Sequence, residues 1–355
     1  MPVFENPPLK GLDDYTHILS IILNNKKAYA WLSENYVQLL ALSGLDNNIM
    51  LFNFIDYSIL SNTEYYFAAK NKTCPFLDIY REPYTEYQSR NMSIIDYLKF
   101  KIINDFYIFL YVDTSKIPAY NRVLPAEHCP LIFGFDDEKE IFYFRDYCGM
   151  YYETHTAAYS EMEQAITGFM SSPDIRASAE YELLYSFGIN FIRLVDCDYM
   201  FNIDRLKLLL RDYLAGDKMK DTYFRIIDNE DFSYGISVFD MTISDLEECI
   251  NQDSNYIGRI IRYIQFIDHK VAMQIRLEYL KNIGFIKQDD FERLYNAFEN
   301  AIKIARTIQN MYLKYKKTND KKIINKMIDA LKQLKEIDVI YIKDLLTLLA
   351  PYRSP

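Results

Sequence analysis

A histidine and an aspartate stand at the two ends of a predicted β-hairpin. The stretch "HCPLIFGFDDEKEIFYFRD" begins at His128, ends at Asp146, and contains two apolar runs separated by an acidic turn. Paired antiparallel strands can bring such side chains next to each other. A carboxylate that accepts the imidazole N–H fixes the tautomer, so that the other ring nitrogen can act as a general base. The spacing therefore predicts two members of a catalytic triad, and the alternative is two unrelated, solvated side chains.

The nucleophile that this pair would activate has two candidates. The first is Cys74 in "NKTCPFLD", where a helix starting at Pro75 would place the thiol at an N-cap. The second, Thr16, follows only from what a family resemblance of the hairpin implies, namely a nucleophile near the start of the first predicted helix. Cys129 adjoins His128, but neighbours along a strand point to opposite faces, which excludes it. The other cysteines are interpreted as buried small apolar residues: Cys148, Cys197 and Cys249.

Composition restricts the class of protein. The 355 residues suffice for two domains, and 50% of them are hydrophobic, as in a globular protein. The net charge of −10 disfavours nucleic acid as a partner. No apolar run approaches the ~20 residues of a membrane span, and the N-terminus does not resemble a signal peptide. Five cysteines without CxxC spacing fit a reducing cytoplasm. Without HExxH, P-loop or GxGxxG motifs, we expect neither metal nor cofactor.

The first part of the chain has a mixed α+β pattern. Helical spacing occurs in "DYTHILSIILNN" and "KAYAWLSENYVQLLALSG", while "NIMLFNFI" and "TEYYFAA" fit strands or short helices. A helix over "SIIDYLKFKIIND", with Ser93 as its N-cap, leads into "FYIFLYVD", which is typical of a buried strand. Helix, strand, loop and hairpin in this order predict an α+β domain over residues 1–155.

From about residue 157 the pattern is mainly helical. The segment "DDFERLYNAFENAIKIARTIQNMYLKYKK" carries an apolar stripe, with Asp289 and Glu292 as a predicted capping box. "FIDHK" lies inside another predicted helix, and only "YFRII" and "YGISVFD" fit short strands. We therefore predict a mainly helical domain over residues 156–355. The basic run "KYKKTNDKK" is interpreted as a solvated helix–loop junction, and the family resemblance of the hairpin implies the alternative of a dock for an acidic carrier protein.

The hairpin resembles the His-to-Asp half of the papain-like cysteine peptidase superfamily, particularly bacteriocin-processing peptidases and butirosin-type acyltransferases. The matching residues are His128, Gly134, Phe135, Asp136 and Asp146. The resemblance implies a papain-like N-terminal domain with a central antiparallel sheet. It also implies a cysteine at the start of the first helix, near Asp14, whose N-terminus points at the histidine. This sequence has Tyr15, Thr16 and His17 there instead.

Two functions follow as hypotheses. The first is an acyltransferase or thioester hydrolase of specialised, peptide-synthetase-type metabolism, which accepts an acyl group from an acyl or peptidyl carrier protein. An acyl-enzyme would form on the nucleophile while His128 moves the proton. The second is a catalytically inactive papain-like homologue that serves as a binding or scaffolding protein. The missing N-terminal cysteine favours the second, and retention of both His128 and Asp146 favours the first.

Overall fold

The chain forms two compact units. The computed structural model describes residues 6–11, 13–42, 53–54, 74–149, 151–177, 188–216, 232–252 and 257–354. Unit 1 consists of Met1–Pro7, Thr16–Asn24 and Cys74–Cys197, and unit 2 of Pro8–Tyr15, Asn25–Thr73 and Asp198–Pro355. The predicted boundary after residue 155 falls inside unit 1.

The described helices and strands are numbered in chain order. The helices are α1 (Asp13–Ile22), α2 (Ala28–Glu34), α3 (Tyr84–Gln88), α4 (Ile94–Ile103), α5 (Tyr159–Ser171), α6 (Pro173–Arg176), α7 (Ile203–Ala215), α8 (Ser237–Asn251), α9 (Ile260–Asn282), α10 (Gln288–Thr318) and α11 (Lys321–Leu349). The strands are β1 (Leu39–Leu42), β2 (Asn53–Phe54), β3 (Leu77–Glu82), β4 (Tyr107–Phe109), β5 (Val112–Asp113), β6 (Glu127–His128), β7 (Leu131–Asp136), β8 (Ile141–Tyr147), β9 (Tyr152–Ala158), β10 (Ile189–Leu194) and β11 (Phe232–Tyr234).

Unit 1 is built on a six-stranded antiparallel sheet with the order β3-β10-β4-β7-β8-β9. Strands β5 and β6 form a separate two-stranded ladder, which pairs Val112 with His128. The apolar runs of the hairpin supply the core, since Ile132, Phe142 and Phe144 are fully buried. Helix α4 packs against β4 and β7, and α5 packs against β5 and β9. The predicted α+β class and antiparallel sheet are confirmed.

Local signals in unit 1 gave correct predictions. The side chain of Ser93 caps α4 by accepting a hydrogen bond from the Asp96 N–H at 3.1 Å. The predicted hairpin forms β7 and β8, with a register shift between Ile132 and Gly134. "FYIFLYVD" is extended as predicted, but it forms two short strands, β4 and β5, in different sheets rather than one. Each of these predictions depends on residues that are close together in the sequence.

Unit 2 combines a three-stranded antiparallel sheet, β11-β1-β2, with helices that include α2 and α7 to α11. Helices α9, α10 and α11 pack consecutively against one another. The turn between α10 and α11 is short because Asn319 adopts a left-handed conformation (φ 52°) and Asp320 caps α11. The predicted helical C-terminal region is therefore present.

Several predicted elements differ from the structure. The helix predicted over "KAYAWLSENYVQLLALSG" ends at Glu34, and Leu39–Leu42 form β1. "YGISVFD" is not a strand, since β11 ends at Tyr234 and α8 begins at Ser237. No capping box opens α10, whose N-cap is Lys287 without a side-chain bond. Strand β10 was not predicted, although it lies between β3 and β4 in the sheet. "TEYYFAA", "YFRII" and most of "NIMLFNFI" lie outside the described residues.

Within the described part of the chain, none of the helices combines the length and the apolar character that a membrane crossing requires.

Candidate active site

The predicted histidine–aspartate pair is present in unit 1. The distance between His128 Nδ1 and Asp146 Oδ2 is 2.7 Å. Asp146 is completely buried, whereas 22% of the His128 side chain is exposed. His128 belongs to β6 and Asp146 to β8, so the hairpin connects the two residues. The predicted contact across the hairpin is therefore confirmed, and the imidazole retains access to solvent.

Both carboxylate oxygens of Asp146 accept hydrogen bonds. Oδ2 also accepts a hydrogen bond from the Tyr120 hydroxyl, and Oδ1 accepts one from the N–H of Tyr147 at 2.7 Å. Burial alone would raise the pKa of Asp146, but His128, His17 and the Tyr120 bond outweigh burial and lower the pKa below its ordinary value. The carboxylate is therefore ionised at neutral pH and can only accept. Nδ1 of His128 must then carry the proton, which leaves the lone pair of a neutral ring on Nε2.

Thr16 is buried on α1. Its side chain has no exposed surface, and its Oγ1 lies 3.3 Å from the Tyr147 hydroxyl. The helix begins at Asp13, close to the predicted start near Asp14, so Thr16 lies in the fourth helical position rather than at the cap. The Thr16 hydroxyl, one of the two candidate nucleophiles, is therefore buried inside the fold.

His17 fills the space next to Thr16. Its Nε2 donates to the carbonyl of Cys129 at 2.9 Å, and its Nδ1 lies 2.6 Å from the Tyr152 hydroxyl. Its ring also packs edge-on against Phe109, with the centroids 5.0 Å apart. Burial lowers the pKa of His17 to about 4, against the attraction of Asp146. Both ring nitrogens are therefore engaged, and the imidazole is neutral and structural at physiological pH.

Helix α1 contacts β8 at Tyr147, the residue that follows Asp146. Tyr147, the partner of Thr16, lies opposite Tyr152, while Asp146 lies opposite Glu153. Successive residues of a strand point to opposite faces. Helix α1 contacts β8 and β9 through Thr16 and His17, and His17 interacts electrostatically with both Asp146 and His128. The start of α1 therefore lies near the His128–Asp146 pair.

Cys74 is also far from the pair. It precedes β3, and the order β3-β10-β4-β7-β8 puts four inter-strand steps, or roughly 19 Å, between β3 and Asp146. The predicted helix after Pro75 is wrong, because a turn leads directly into β3 at Leu77. Burial raises the pKa of Cys74 to about 12, so its thiol is protonated at neutral pH. The structure therefore places Cys74 in the core, without the features of a nucleophile.

The other cysteines of unit 1 differ in exposure. Cys129 is buried. This agrees with the expectation that Cys129 and its neighbour His128 point to opposite faces. Cys148 is half-buried, and burial together with the nearby Asp146 raises its pKa to about 12. Cys197 is half-buried as well, which differs from the predicted buried position. The raised pKa of Cys148 is the opposite of the lowered pKa that marks an activated cysteine.

Tyr120 was missed by the sequence analysis, although it contributes a hydrogen bond to the site. It lies in the Pro- and Asn-rich loop before β6, just ahead of Asn121, whose φ of 49° is left-handed. The Tyr120 ring stacks on Phe144, with the centroids 5.9 Å apart, and this contact aims the hydroxyl at Asp146. An "AYN" tripeptide in a chain with 32 tyrosines gives no signal that could have singled it out.

Among the described residues, histidine, cysteine, aspartate and glutamate side chains form no group of three that could hold a metal ion. Neither a scan against protein-family models nor a search of curated proteins finds a match to this chain. The geometry of the His128–Asp146 pair is therefore the main evidence on function.

Proposed function

We propose that this protein is an acyltransferase or thioester hydrolase in which His128 is the general base and Asp146 orients it. The observation that carries the proposal is the 2.7 Å contact between a solvent-accessible imidazole and a buried carboxylate. The lowered pKa of Asp146 supports it, because an ionised carboxylate holds the Nδ1–H tautomer and stabilises an imidazolium. The Tyr120 hydroxyl positions the carboxylate.

The acceptor itself is the attacking group in the mechanism that fits this geometry. Nε2 of His128 takes a proton from an amine or a water molecule as that group attacks the thioester carbonyl. A C–N or C–O bond forms, and the C–S bond of the tetrahedral intermediate then breaks. The imidazolium returns the proton to the departing thiolate. The products are an amide or a carboxylic acid and a free thiol, and His128 ends in its starting state.

This mechanism replaces the acyl-enzyme route expected from the sequence. Thr16 is fully buried, and its hydroxyl lies within hydrogen-bonding distance of the Tyr147 hydroxyl. Cys74 lies just before β3, and its thiol has a pKa of about 12. A thiol in this state is almost entirely protonated at neutral pH. Direct attack by the acceptor needs only the histidine and its orienting carboxylate, which are the groups that are brought together.

The proposal also includes the fold of unit 1 and the donor of the acyl group. The antiparallel sheet, with a hairpin that joins His128 to Asp146, supports a papain-like frame for unit 1. The start of α1 departs from that frame, because Thr16 and His17 stand where the resemblance implies a cysteine. An acyl or peptidyl carrier protein of a cytoplasmic peptide-synthetase-type pathway is the proposed donor, in line with the resemblance of the hairpin.

The test compares hydrolysis and aminolysis of a small N-acetylcysteamine thioester by the wild-type protein and by single variants. His128→Gln should abolish turnover, whereas Thr16→Ala and Cys74→Ala should keep it after correction for folded protein. Asp174→Asn, an exposed carboxylate of α6, is the matched control. Intact mass should show no acyl adduct during turnover. An adduct that disappears in Thr16→Ala would instead establish the acyl-enzyme route.

A second candidate function is a catalytically inactive binding protein. It is favoured by His17, because a neutral and fully bonded imidazole occupies the part of α1 where a nucleophile is expected. Absence of turnover by the wild-type protein with every thioester, together with tight binding of a carrier protein, would decide for this function.

A further inference from the structure

A cluster of exposed lysines lies at one end of unit 2, where α10 turns into α11. We call it the lysine tip, and it consists of Lys314, Lys316, Lys317, Lys322 and Lys326. All five side chains are exposed, and their ammonium groups make no ion pair or hydrogen bond with the described residues. The whole chain carries a net charge of −10. The lysine tip is therefore a local concentration of positive charge on an acidic protein.

Elsewhere on the same two helices, some cations form ion pairs, whereas others such as Lys332 and Lys343 do not form one with the described residues. Lys335 Nζ contacts Asp240 at 2.6 Å, and Arg293 Nη1 contacts Asp344 at 2.6 Å. The neighbourhood of the lysine tip contains acidic side chains too, such as Asp320. That carboxylate instead caps α11, with its Oδ1 accepting from the N–H of Lys322 at 3.0 Å. Asp320 therefore does not pair with the ammonium groups of the lysine tip.

Helix stability accounts for only two of the five lysines. Lys316 and Lys317 lie in the last turn of α10, where a cation interacts favourably with the helix dipole. Lys322 lies in the first turn of α11, where the dipole end is positive and a cation is unfavourable. The first turn of α11, which is described in full, carries no acidic residue. The dipoles of the two helices therefore do not explain the lysine tip as a whole.

An exposed apolar side chain lies beside the lysines. Leu313 is 50% exposed, and Lys316 and Lys317 follow it by three and four residues, so the three share one helix face. An apolar contact surrounded by charge is typical of protein–protein interfaces. Nucleic acid is bound chiefly through its phosphates, and the charge of −10 opposes a polyanion as large as DNA or a membrane.

We propose that the lysine tip is a docking surface for a partner protein, which places an acidic, amphipathic helix against the lysines and an apolar side chain against Leu313. The inference does not depend on the acyl-transfer chemistry of unit 1. A patch of five lysines and one leucine is smaller than a stable interface requires. The complex should therefore be transient, and exposed charges make its association rate fall steeply with salt.

The test measures binding of a synthetic helical peptide that carries glutamates around a central leucine, by fluorescence anisotropy at low and physiological salt. The full-length wild-type protein is compared with the triple variant K316E/K317E/K322E. The matched control is K332E/K343E, which reverses two exposed lysines farther along α11. The same peptide with glutamine in place of glutamate, a single-stranded oligonucleotide and vesicles of anionic lipid are the competing probes.

The expected result is salt-sensitive binding of the glutamate peptide, at least about tenfold weaker in the triple variant and nearly unchanged in the control. Leu313→Ser should weaken binding as well, and the glutamine peptide should bind poorly. Circular dichroism verifies that each variant is folded. Equal binding by the wild-type protein and the triple variant, or no binding at all, overturns the proposal. Stronger binding of the oligonucleotide or the vesicles through the same lysines overturns it too.

Discussion

Replacing Asp146 by asparagine tests the candidate site most directly. The carboxylate accepts three hydrogen bonds, from His128, Tyr120 and the N–H of Tyr147. An asparagine side chain turns one of its two oxygens into an NH₂ donor, so at least one of these donors loses its acceptor. A buried unpaired donor costs about 1–3 kcal/mol, and bonds to a neutral oxygen are weaker than those to a carboxylate. We expect the free energy of unfolding to fall by about 2–3 kcal/mol.

The same substitution should change the imidazole. If the NH₂ group faces His128, Nδ1 must become the acceptor, and the proton moves to Nε2, which can then no longer act as a base. Turnover of a thioester should fall on the order of 10² to 10⁴-fold. Urea unfolding gives the stability, and ¹⁵N NMR of labelled histidine gives the tautomer, with Asp174→Asn as the control. An Asp146→Asn variant with unchanged stability and an unchanged His128 tautomer would refute the described geometry.

Three further predictions concern buried groups. His17 has a pKa of about 4 in the folded state against 6.5 when exposed, so stability should be lost as the pH falls from 6.5 to 4. The shift of 2.5 corresponds to roughly 3 kcal/mol, and urea titrations of His17→Asn should show a flatter pH dependence over that range. Cys74 should resist iodoacetamide at pH 8 in the native protein, and rapid labelling of Cys74 detected by mass spectrometry would contradict its burial. In unit 2, Asp338→Asn should destabilise by about 3–5 kcal/mol in thermal or urea unfolding, because it leaves the fully buried Lys270 without its charged partner; a loss below 1 kcal/mol would argue against this ion pair.

The sequence by itself determined the features that depend on neighbours along the chain. The alternation of apolar residues on either side of the turn predicts β7 and β8 and places His128 and Asp146 within reach of each other. Ser93 predicts the start of α4 because a cap acts on amides only two or three residues away. The stripe on α10 predicts its buried face, and Leu294 and Phe298 are fully buried there.

Only the tertiary structure decided which distant segments meet this hairpin. Strand β10 enters the sheet between β3 and β4 from a part of the chain that was predicted to be helical. Tyr120 reaches Asp146 from an irregular loop, and α1 packs through Thr16 and His17 against β8 and β9. The physical reason is that periodicity shows that a face is buried but not which element covers it. Which strands α1 covers with Thr16 and His17 depends on the packing of the whole unit.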